Sequence, residues 1–315
     1  MKSLILGGAG FIGSNIAEYF YNMGTEVTVI DGLIDKTGGQ KKNLEKLNGK
    51  IKIFFKKIEE LENLDELLIE TDLIIDCMAW TSHIEAIENP FFDLDLNCRS
   101  HLFLIEKLKK IKNKKVIFLS SLIVFGGNKN QVIVEETYPN PIDIQGIHKL
   151  TAEYYFKFYS KIYDFNIVIL RFPNCFGKNQ LIIGKDIGLV GSIIRDSLLD
   201  KEIEVYGRER TRQLIFVDDL VDIIWLIVQK DIKSFLQFNV SAYNIPVLHL
   251  TEKIVKITGK GKILLKEIPQ KIDNIDQGTI FIDNSKLIKF VGRLNFTNID
   301  EALTKTINYF KENLI

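Results

Sequence analysis

Residues 3–15 read SLILGGAGFIGSN, and this stretch decides the fold. A short apolar run, typical of a buried strand, leads into glycines, and apolar residues then recur at helical spacing. Glycines between a strand and a helix permit a tight turn and let the backbone approach a pyrophosphate, while the helix N-terminus offers free N–H groups to the anion. The stretch therefore predicts a dinucleotide-binding turn, with the cofactor held by Gly7, Gly10, Phe11, Ile12 and Gly13.

The next predicted strand, EVTVI at 26–30, ends at Asp31. An acidic residue at that place accepts hydrogen bonds from the adenosine ribose hydroxyls, and its charge repels a 2′-phosphate. NAD is therefore favoured over NADP, although the nearby Lys36 weakens the preference. The alternative interpretation of Asp31 is a helix-capping aspartate after an ordinary strand. The chain contains no G-x-x-x-x-G-K-[ST] pattern, so its sequence does not indicate a Walker-type triphosphate site.

Short apolar segments alternate with helical patterns over the first half of the chain. Strands are predicted at 3–6, 26–30, 50–56, 73–77, 116–120 and 166–171, and helices at 11–23, 61–68, 97–112 and 145–163. Continuous apolar strands that alternate with helices indicate a parallel sheet covered on both faces. After residue 172 the alternation becomes irregular, with strands predicted at 203–206, 214–217, 236–240 and 279–282. We therefore predict an α/β fold, with a doubly wound parallel Rossmann domain over 1–172 and a smaller C-terminal α/β lobe over 173–315. Some segments of the lobe are expected to return to the main sheet.

Composition excludes several classes of protein. Forty-one basic residues balance forty-one acidic ones among 315, so the chain lacks the basic excess typical of nucleic-acid binding. No run of about 18 apolar residues occurs, so no membrane span is expected. Cys77, Cys98 and Cys175 are scattered without metal-ligand spacing, and we expect neither a metal site nor a disulfide framework. A reduced, cytoplasmic protein is the expectation.

Beyond the first turn, further segments carry a family likeness. They are DGL at 31–33, CMAW at 77–80, Asn97 in DLNCRS, SSLIVFG at 120–126, RFPNCFG at 171–177, TRQL at 211–214 and VDD at 217–219. In this order and spacing the chain resembles an extended short-chain dehydrogenase/reductase of the nucleotide-sugar epimerase/dehydratase kind, over nearly its whole length. CMAW takes the place of that family's H-L-A-A, and RFPNCFG resembles its R-x-x-N-V-Y-G.

The resemblance implies a role for each matching residue. Ser121 would hydrogen-bond the reacting sugar hydroxyl or ketone, and Lys149 would hold the nicotinamide ribose and supply a positive charge. Further cofactor contacts would come from Asp31, Gly32, Ile58, Met78, Ala79, Trp80, Asn97, Ser120 and Pro173. A nucleotide-diphosphate sugar would be bound by Ser121, Asn174, Tyr206 and Arg212. Many relatives pair through two long helices, which implies a homo-oligomer, a dimer or higher, built on 97–112 and 145–163.

One position departs from the family. The acid/base of such enzymes is a tyrosine four residues before the active-site lysine, so that both side chains share one helix face. In PIDIQGIHKL that position holds Gln145, and no tyrosine precedes a lysine by four residues anywhere in the chain. An amide does not accept a proton at neutral pH. Gln145 is therefore predicted to hydrogen-bond the substrate, and the candidates for the missing base are His83, His148, Tyr138 and a water held by Gln145.

These features predict an NAD-dependent oxidoreductase that acts on a nucleotide-activated sugar, with oxidation or reduction at C4, as in bacterial surface-polysaccharide pathways. The alternatives are a 4-epimerase and a non-catalytic protein that binds NAD and a nucleotide sugar. The predicted catalytic residues are Ser121, Gln145, Lys149 and His83. A dehydratase is disfavoured because Leu122 and Ile123 stand where such enzymes carry an Asp-Glu pair. The adjacent Asp218 and Asp219 are expected to start a helix, where aspartates match the helix dipole.

Overall fold

The computed structural model describes residues 1–111, 114–163, 165–184, 187–270 and 278–314. The strands are β1 (Lys2–Leu6), β2 (Glu26–Ile30), β3 (Lys52–Phe54), β4 (Leu73–Asp76), β5 (Lys115–Ser121), β6 (Val132–Ile133), β7 (Asn166–Phe172), β8 (Asn174–Phe176), β9 (Glu202–Tyr206), β10 (Thr211–Phe216), β11 (Phe235–Asn239), β12 (Tyr243–Pro246), β13 (Lys262–Lys266) and β14 (Phe281–Ile282). The α-helices are α1 (Phe11–Asn22), α2 (Leu64–Glu70), α3 (His83–Glu88), α4 (Pro90–Leu94), α5 (Ser100–Leu108), α6 (Ile144–Tyr163), α7 (Leu189–Leu198), α8 (Val217–Val228), α9 (Val247–Thr258), α10 (Ser285–Val291) and α11 (Ile299–Leu314).

Within the described ranges, seven strands form one parallel sheet in the order β3-β2-β1-β4-β5-β7-β11. Strand order reverses beside β1, since β2 lies on one side of it and β4 on the other. Ligands of such sheets bind beyond the carboxyl ends of the strands at this switch point. The predicted doubly wound α/β fold is confirmed.

Both faces of the sheet are covered. Along β1, Leu4 and Leu6 belong to one hydrophobic cluster, while Ile5 belongs to the cluster on the opposite face. Successive strand residues point to opposite faces, so a continuous apolar run is what a doubly covered strand requires. This packing holds the strand ends, and hence the site, at fixed positions.

Smaller sheets lie outside the main sheet. β10 pairs antiparallel with β12 and parallel with β8, whereas β9 pairs with β13 and β6 with β14. β11 follows residue 172 in the chain and pairs with β7 at the edge of the main sheet. The predicted strand at 279–282 is reduced to Phe281–Ile282. Strands β6, β8, β12 and β13 were not predicted.

The prediction of one long helix over 97–112 is wrong. The α-helix covers only Ser100–Leu108, and a π-helical turn at Asp95–Arg99 joins it to α4. The turn contains Asn97, which is buried and bonded to another segment, so a tertiary contact coincides with the widened turn. Lys112 lies outside the described residues. In the part of the chain that the structure describes, no helix combines the length and apolar character that a membrane crossing requires.

Candidate active site

The glycine turn lies between β1 and α1. Gly7 has φ +70°, a conformation that favours glycine, and a Cβ there would lie 3.0 Å from the main-chain carbonyl of Cys77. A Cβ on Gly13 would lie 2.3 Å from the carbonyl oxygen of Gly7. The turn and the first turn of α1 are thus in direct main-chain contact. Helix α1 begins at Phe11, directly after the glycine turn. The N-terminus of α1 therefore lies at the turn, as a dinucleotide-binding site requires.

Asp31 follows β2 and is 7% exposed. Its Oδ2 accepts a hydrogen bond from the Ala9 N–H at 2.8 Å, and its Oδ1 accepts one from the Leu33 N–H at 2.8 Å. An ionised carboxylate has about four acceptor positions, so ribose hydroxyls fit the remaining ones. The carboxylate therefore joins the glycine turn to the loop after β2, and Asp31 is not a helix cap.

The carbonyl oxygen of Trp80 lies at the centre of a buried hydrogen-bond network. It accepts from Asn97 Nδ2 at 2.8 Å and from Gln145 Nε2 at 2.7 Å. Asn97 Oδ1 accepts from the Trp80 N–H, and Asn97 Nδ2 also donates to Asp93. Gln145 is 6% exposed. Its NH2 group therefore holds the loop after β4 in place.

Lys149 lies one helical turn after Gln145 on α6 and is buried. Its Nζ donates to the carbonyl oxygens of Met78 at 3.3 Å and Leu119 at 3.4 Å. Burial lowers the pKa of Lys149 to about 8, and the carboxylates of Asp76 and Asp93 partly oppose this change. The ammonium lies between the ends of β4 and β5, where the cofactor is predicted to bind.

We expect stability to depend on pH through Lys149. Between about pH 8 and 10.5 the unfolded chain binds more protons at this group than the folded protein, so the free energy of unfolding rises with pH. At about 1.4 kcal/mol per pKa unit, the full change is on the order of 3 kcal/mol. Urea unfolding of the wild type and Lys149→Met at the two ends of this pH range measures it. As pH rises from about 8 to 10.5, the free energy of unfolding of the wild type should increase relative to that of Lys149→Met. A difference between the two proteins that does not change with pH would contradict the lowered pKa of Lys149.

A cleft brings several predicted residues together. It is lined by His83, Ser121, Leu122, Ile123, Pro173, Asn174, Arg212, Gln213, Gly278 and Ile280. His83 opens α3, Ser121 ends β5 and Asn174 opens β8, so three separate segments place polar groups in one space. Ser121 Oγ also accepts from the Ile123 N–H at 3.2 Å, the local capping bond of a strand end.

Other predicted residues lie around or away from this cleft. Tyr206 ends β9, its hydroxyl donates to Glu204, and it is not among the described residues that line the cleft. Ser120 is buried and donates to Glu153. Gly32 follows Asp31, Ile58 opens a short helical turn after β3, and Ala79 lies in the loop after β4.

The candidate bases have different surroundings. His83 Nδ1 lies 2.8 Å from Asp143 Oδ2, and 40% of the His83 side chain is exposed. His148 Nδ1 lies 2.6 Å from Asp93 Oδ1. Tyr138 is 82% exposed and does not line the cleft among the described residues.

Sequence reasoning missed two groups. Asp143 Oδ1 accepts from the Gly146 N–H at 2.7 Å, the N-cap arrangement, and an aspartate before a helical run could have signalled it. The second group is a buried ion pair, in which Arg171 donates from Nε to Glu153 Oε1 at 2.8 Å. Nothing in the local pattern of either residue signals this pair, because β7 and α6 meet only in the tertiary structure.

The parallel sheet, the glycine turn and Asp31 define a dinucleotide-binding α/β protein. The chain belongs to the NAD dependent epimerase/dehydratase family, whose model matches residues 3–241. NAD is the cofactor of this family, and the cradle at Gly7–Gly13 fits it. No metal is implied, and the described residues contain no cluster of three potential metal ligands.

Individual relatives share most of the chain. The structure is similar to UDP-glucose 4-epimerase of Thermotoga maritima, solved with UDP-glucose, with 27% identity, a TM-score of 0.88 and 100% of each chain covered. It is also similar to UDP-N-acetylglucosamine 4-epimerase of Methanobrevibacter ruminantium M1, solved with UDP-N-acetylmuramic acid, with 25% identity, a TM-score of 0.89, and 99% and 98% coverage. The sequence is 26% identical to UDP-glucose 4-epimerase of Lactobacillus helveticus over 277 residues, or 82% of each chain.

Proposed function

We propose that this protein is an NAD-dependent oxidoreductase that oxidises or reduces a nucleotide-diphosphate sugar at C4. The observation that carries the proposal is the cleft, because it joins Ser121 and His83 to Asn174 and Arg212. The first two are a hydroxyl and an imidazole suited to a reacting sugar. The others are an amide and a guanidinium suited to a diphosphate. Residues 1–172 would bind the cofactor, and residues 173–315 would bind the nucleotide sugar. Tyr206 is not among the described residues that line the cleft.

The charge of Lys149 supports this assignment. A buried ammonium beside the ends of β4 and β5 stabilises negative charge that develops on a sugar oxygen during oxidation. Gln145 takes the helix position one turn earlier, where we propose that it replaces the family's tyrosine. Since its NH2 group is bonded to Trp80, its role is to position the loop and the substrate rather than to move a proton.

A 4-epimerase is the second candidate, and the names of the relatives favour it. Epimerisation oxidises and then reduces the same carbon, so a proton must leave and return. The amide at position 145 counts against that cycle and favours a released keto sugar. A bacterial surface-polysaccharide pathway is the setting we propose for either activity.

The experiment uses the purified protein with NAD and a panel of nucleotide sugars. A rise in the reduced-nicotinamide absorbance that matches a keto sugar in amount supports the C4 dehydrogenase. Conversion between C4 epimers, with no net change in that absorbance, supports the epimerase. Cofactor and sugar binding without either reaction would leave a non-catalytic binding protein and overturn the proposal.

We further propose that two copies pair through α6. Four apolar residues of α6 are each at least half exposed, and we call them the α6 stripe: Ile147, Tyr154, Phe158 and Ile162. Their spacings of 7, 4 and 4 residues place them on one helix face. The exposed Ile84, Ile87 and Phe91 on α3 and α4 add to the apolar surface. A symmetric pair would bury this stripe against its own copy.

Phe158→Glu is expected to halve the mass in solution, because pairing would bury two uncompensated carboxylates. Light scattering after size-exclusion chromatography measures it. Ile69→Glu is the matched control, since Ile69 is 62% exposed on α2, outside the stripe. Equal masses for the two variants would contradict pairing through α6.

A further inference from the structure

We propose that Asp143 and His83 form a carboxylate–imidazole pair in which His83 Nε2 takes the proton of the reacting sugar hydroxyl. This inference rests on the proposed function for its substrate. His83 would be the catalytic residue, and Asp143 the positioning residue. The geometry that carries the inference is the 2.8 Å contact between His83 Nδ1 and Asp143 Oδ2, in a cleft that also contains Ser121.

Burial and a second hydrogen bond fix the orientation of the Asp143 carboxylate. Its side chain is 7% exposed, and its second oxygen caps α6 through the Gly146 N–H at 2.7 Å. The carboxylate therefore cannot turn away from His83 without losing the cap. His83 is the first residue of α3, and Ser82 caps that helix by accepting from the Glu85 N–H. Two capped helix starts thus fix the two partners relative to each other.

The pairing determines which imidazole nitrogen can act as the base. An ionised carboxylate only accepts hydrogen bonds, so Nδ1 carries the hydrogen and Nε2 has the lone pair. With 40% of its side chain exposed, the imidazole is accessible from the cleft. The same logic lets an aspartate select the tautomer of a catalytic histidine in hydrolases.

The proposed step balances in atoms and charge. The hydroxyl O–H bond breaks as an N–H bond forms at Nε2, and the carbonyl forms as the C4–H bond breaks. The C4–H electron pair leaves as hydride and reduces NAD⁺, so the sugar carbon is oxidised and His83 ends as imidazolium. Ser121 would donate to or accept from the same oxygen, and the ammonium of Lys149 would stabilise its negative charge.

The other candidates have less suitable geometry. Gln145 has no basic group, and its NH2 is bonded to the Trp80 carbonyl. His148 also has a carboxylate partner, Asp93, but only 15% of its side chain is exposed and it does not line the cleft among the described residues. His83 is therefore the histidine that lines the same cleft as Ser121 among the described residues.

The test is Asp143→Asn, studied by nitrogen NMR of histidine-labelled protein and by turnover. The asparagine oxygen would keep the Gly146 cap, so its NH2 group would face His83 Nδ1 and force the hydrogen onto Nε2. We expect the wild-type imidazole to be Nδ1-protonated and the variant Nε2-protonated. The chain has four histidines, and His83→Gln identifies the signal by its loss. This readout needs neither cofactor nor substrate.

Turnover gives the second readout. Both Asp143→Asn and His83→Gln should lower it by about 10²–10⁴-fold, the usual contribution of a general base. Affinity for NAD should stay unchanged. His249→Gln on α9 is the control, since His249 is exposed and does not line the cleft among the described residues.

The outcomes separate this inference from the proposed function. An Nε2-protonated wild-type His83, or full turnover in both variants, would overturn the pair and leave the oxidoreductase assignment standing. A wild type that turns over no nucleotide sugar would overturn the assignment, while the tautomer measurement would still decide whether Asp143 orients His83.

Discussion

Gly13→Ala is expected to weaken NAD binding by about 10- to 100-fold, because overpacking costs about 1–3 kcal/mol. The added Cβ would lie 2.3 Å from the Gly7 carbonyl oxygen and 2.8 Å from the Gly8 Cα, both of them main-chain atoms. A main chain cannot rotate aside as a side chain does, so the glycine turn itself must move. The N–H groups of the turn would then no longer meet the pyrophosphate. Calorimetric titration with NAD measures the affinity, and thermal unfolding shows whether the variant is folded.

Gly191→Ala is the matched control for this change. It also adds a methyl group within a helix, α7, but its Cβ would meet side chains, Gln180 at 3.2 Å and Phe310 at 3.4 Å. These neighbours can adjust, so NAD affinity should be retained. Equal NAD affinity in the two variants would mean that the turn does not contact the cofactor.

Arg171→Met is expected to lower the free energy of unfolding by about 3–5 kcal/mol, the usual cost of leaving a buried charge without its partner. Arg171 and Glu153 each have 3% of the side chain exposed, and they share two hydrogen bonds at 2.8 and 2.5 Å. Glu153 also accepts from Ser120 Oγ, so the pair joins α6 to the ends of β5 and β7. Urea unfolding at neutral pH measures the loss.

The double variant Arg171→Met/Glu153→Leu tests whether the loss of stability comes from an unpaired buried charge. Removing both charges leaves no unpaired ion, so the double variant should be more stable than Arg171→Met alone. A single-variant loss below about 1 kcal/mol, the range of exposed ion pairs, would contradict the importance of this buried pair.

Local patterns in the sequence determined the fold class and the cofactor. The apolar run at 3–6, the glycines after it and Asp31 at the end of the next strand act within one strand–turn–helix–strand unit. Their spacing alone therefore indicates what they do. The whole set of strand and helix patterns predicted the parallel sheet for the same reason, since continuous apolar strands need cover on both faces.

The tertiary structure decided how the polar groups are combined. His83 and Asp143 are 60 residues apart, Gln145 and Trp80 are 65 apart, and Arg171 and Glu153 lie on different elements. No local period encodes these contacts, because they depend on how α3, α6 and β7 pack together in the tertiary structure. Tyr206 is likewise absent from the described residues that line the cleft, and a π-helical turn that contains Asn97 takes the place of the predicted start of a long helix. The sequence by itself thus determined the sheet and its dinucleotide turn, whereas only the packing of distant segments brought His83 into contact with Asp143 and into the same cleft as Ser121.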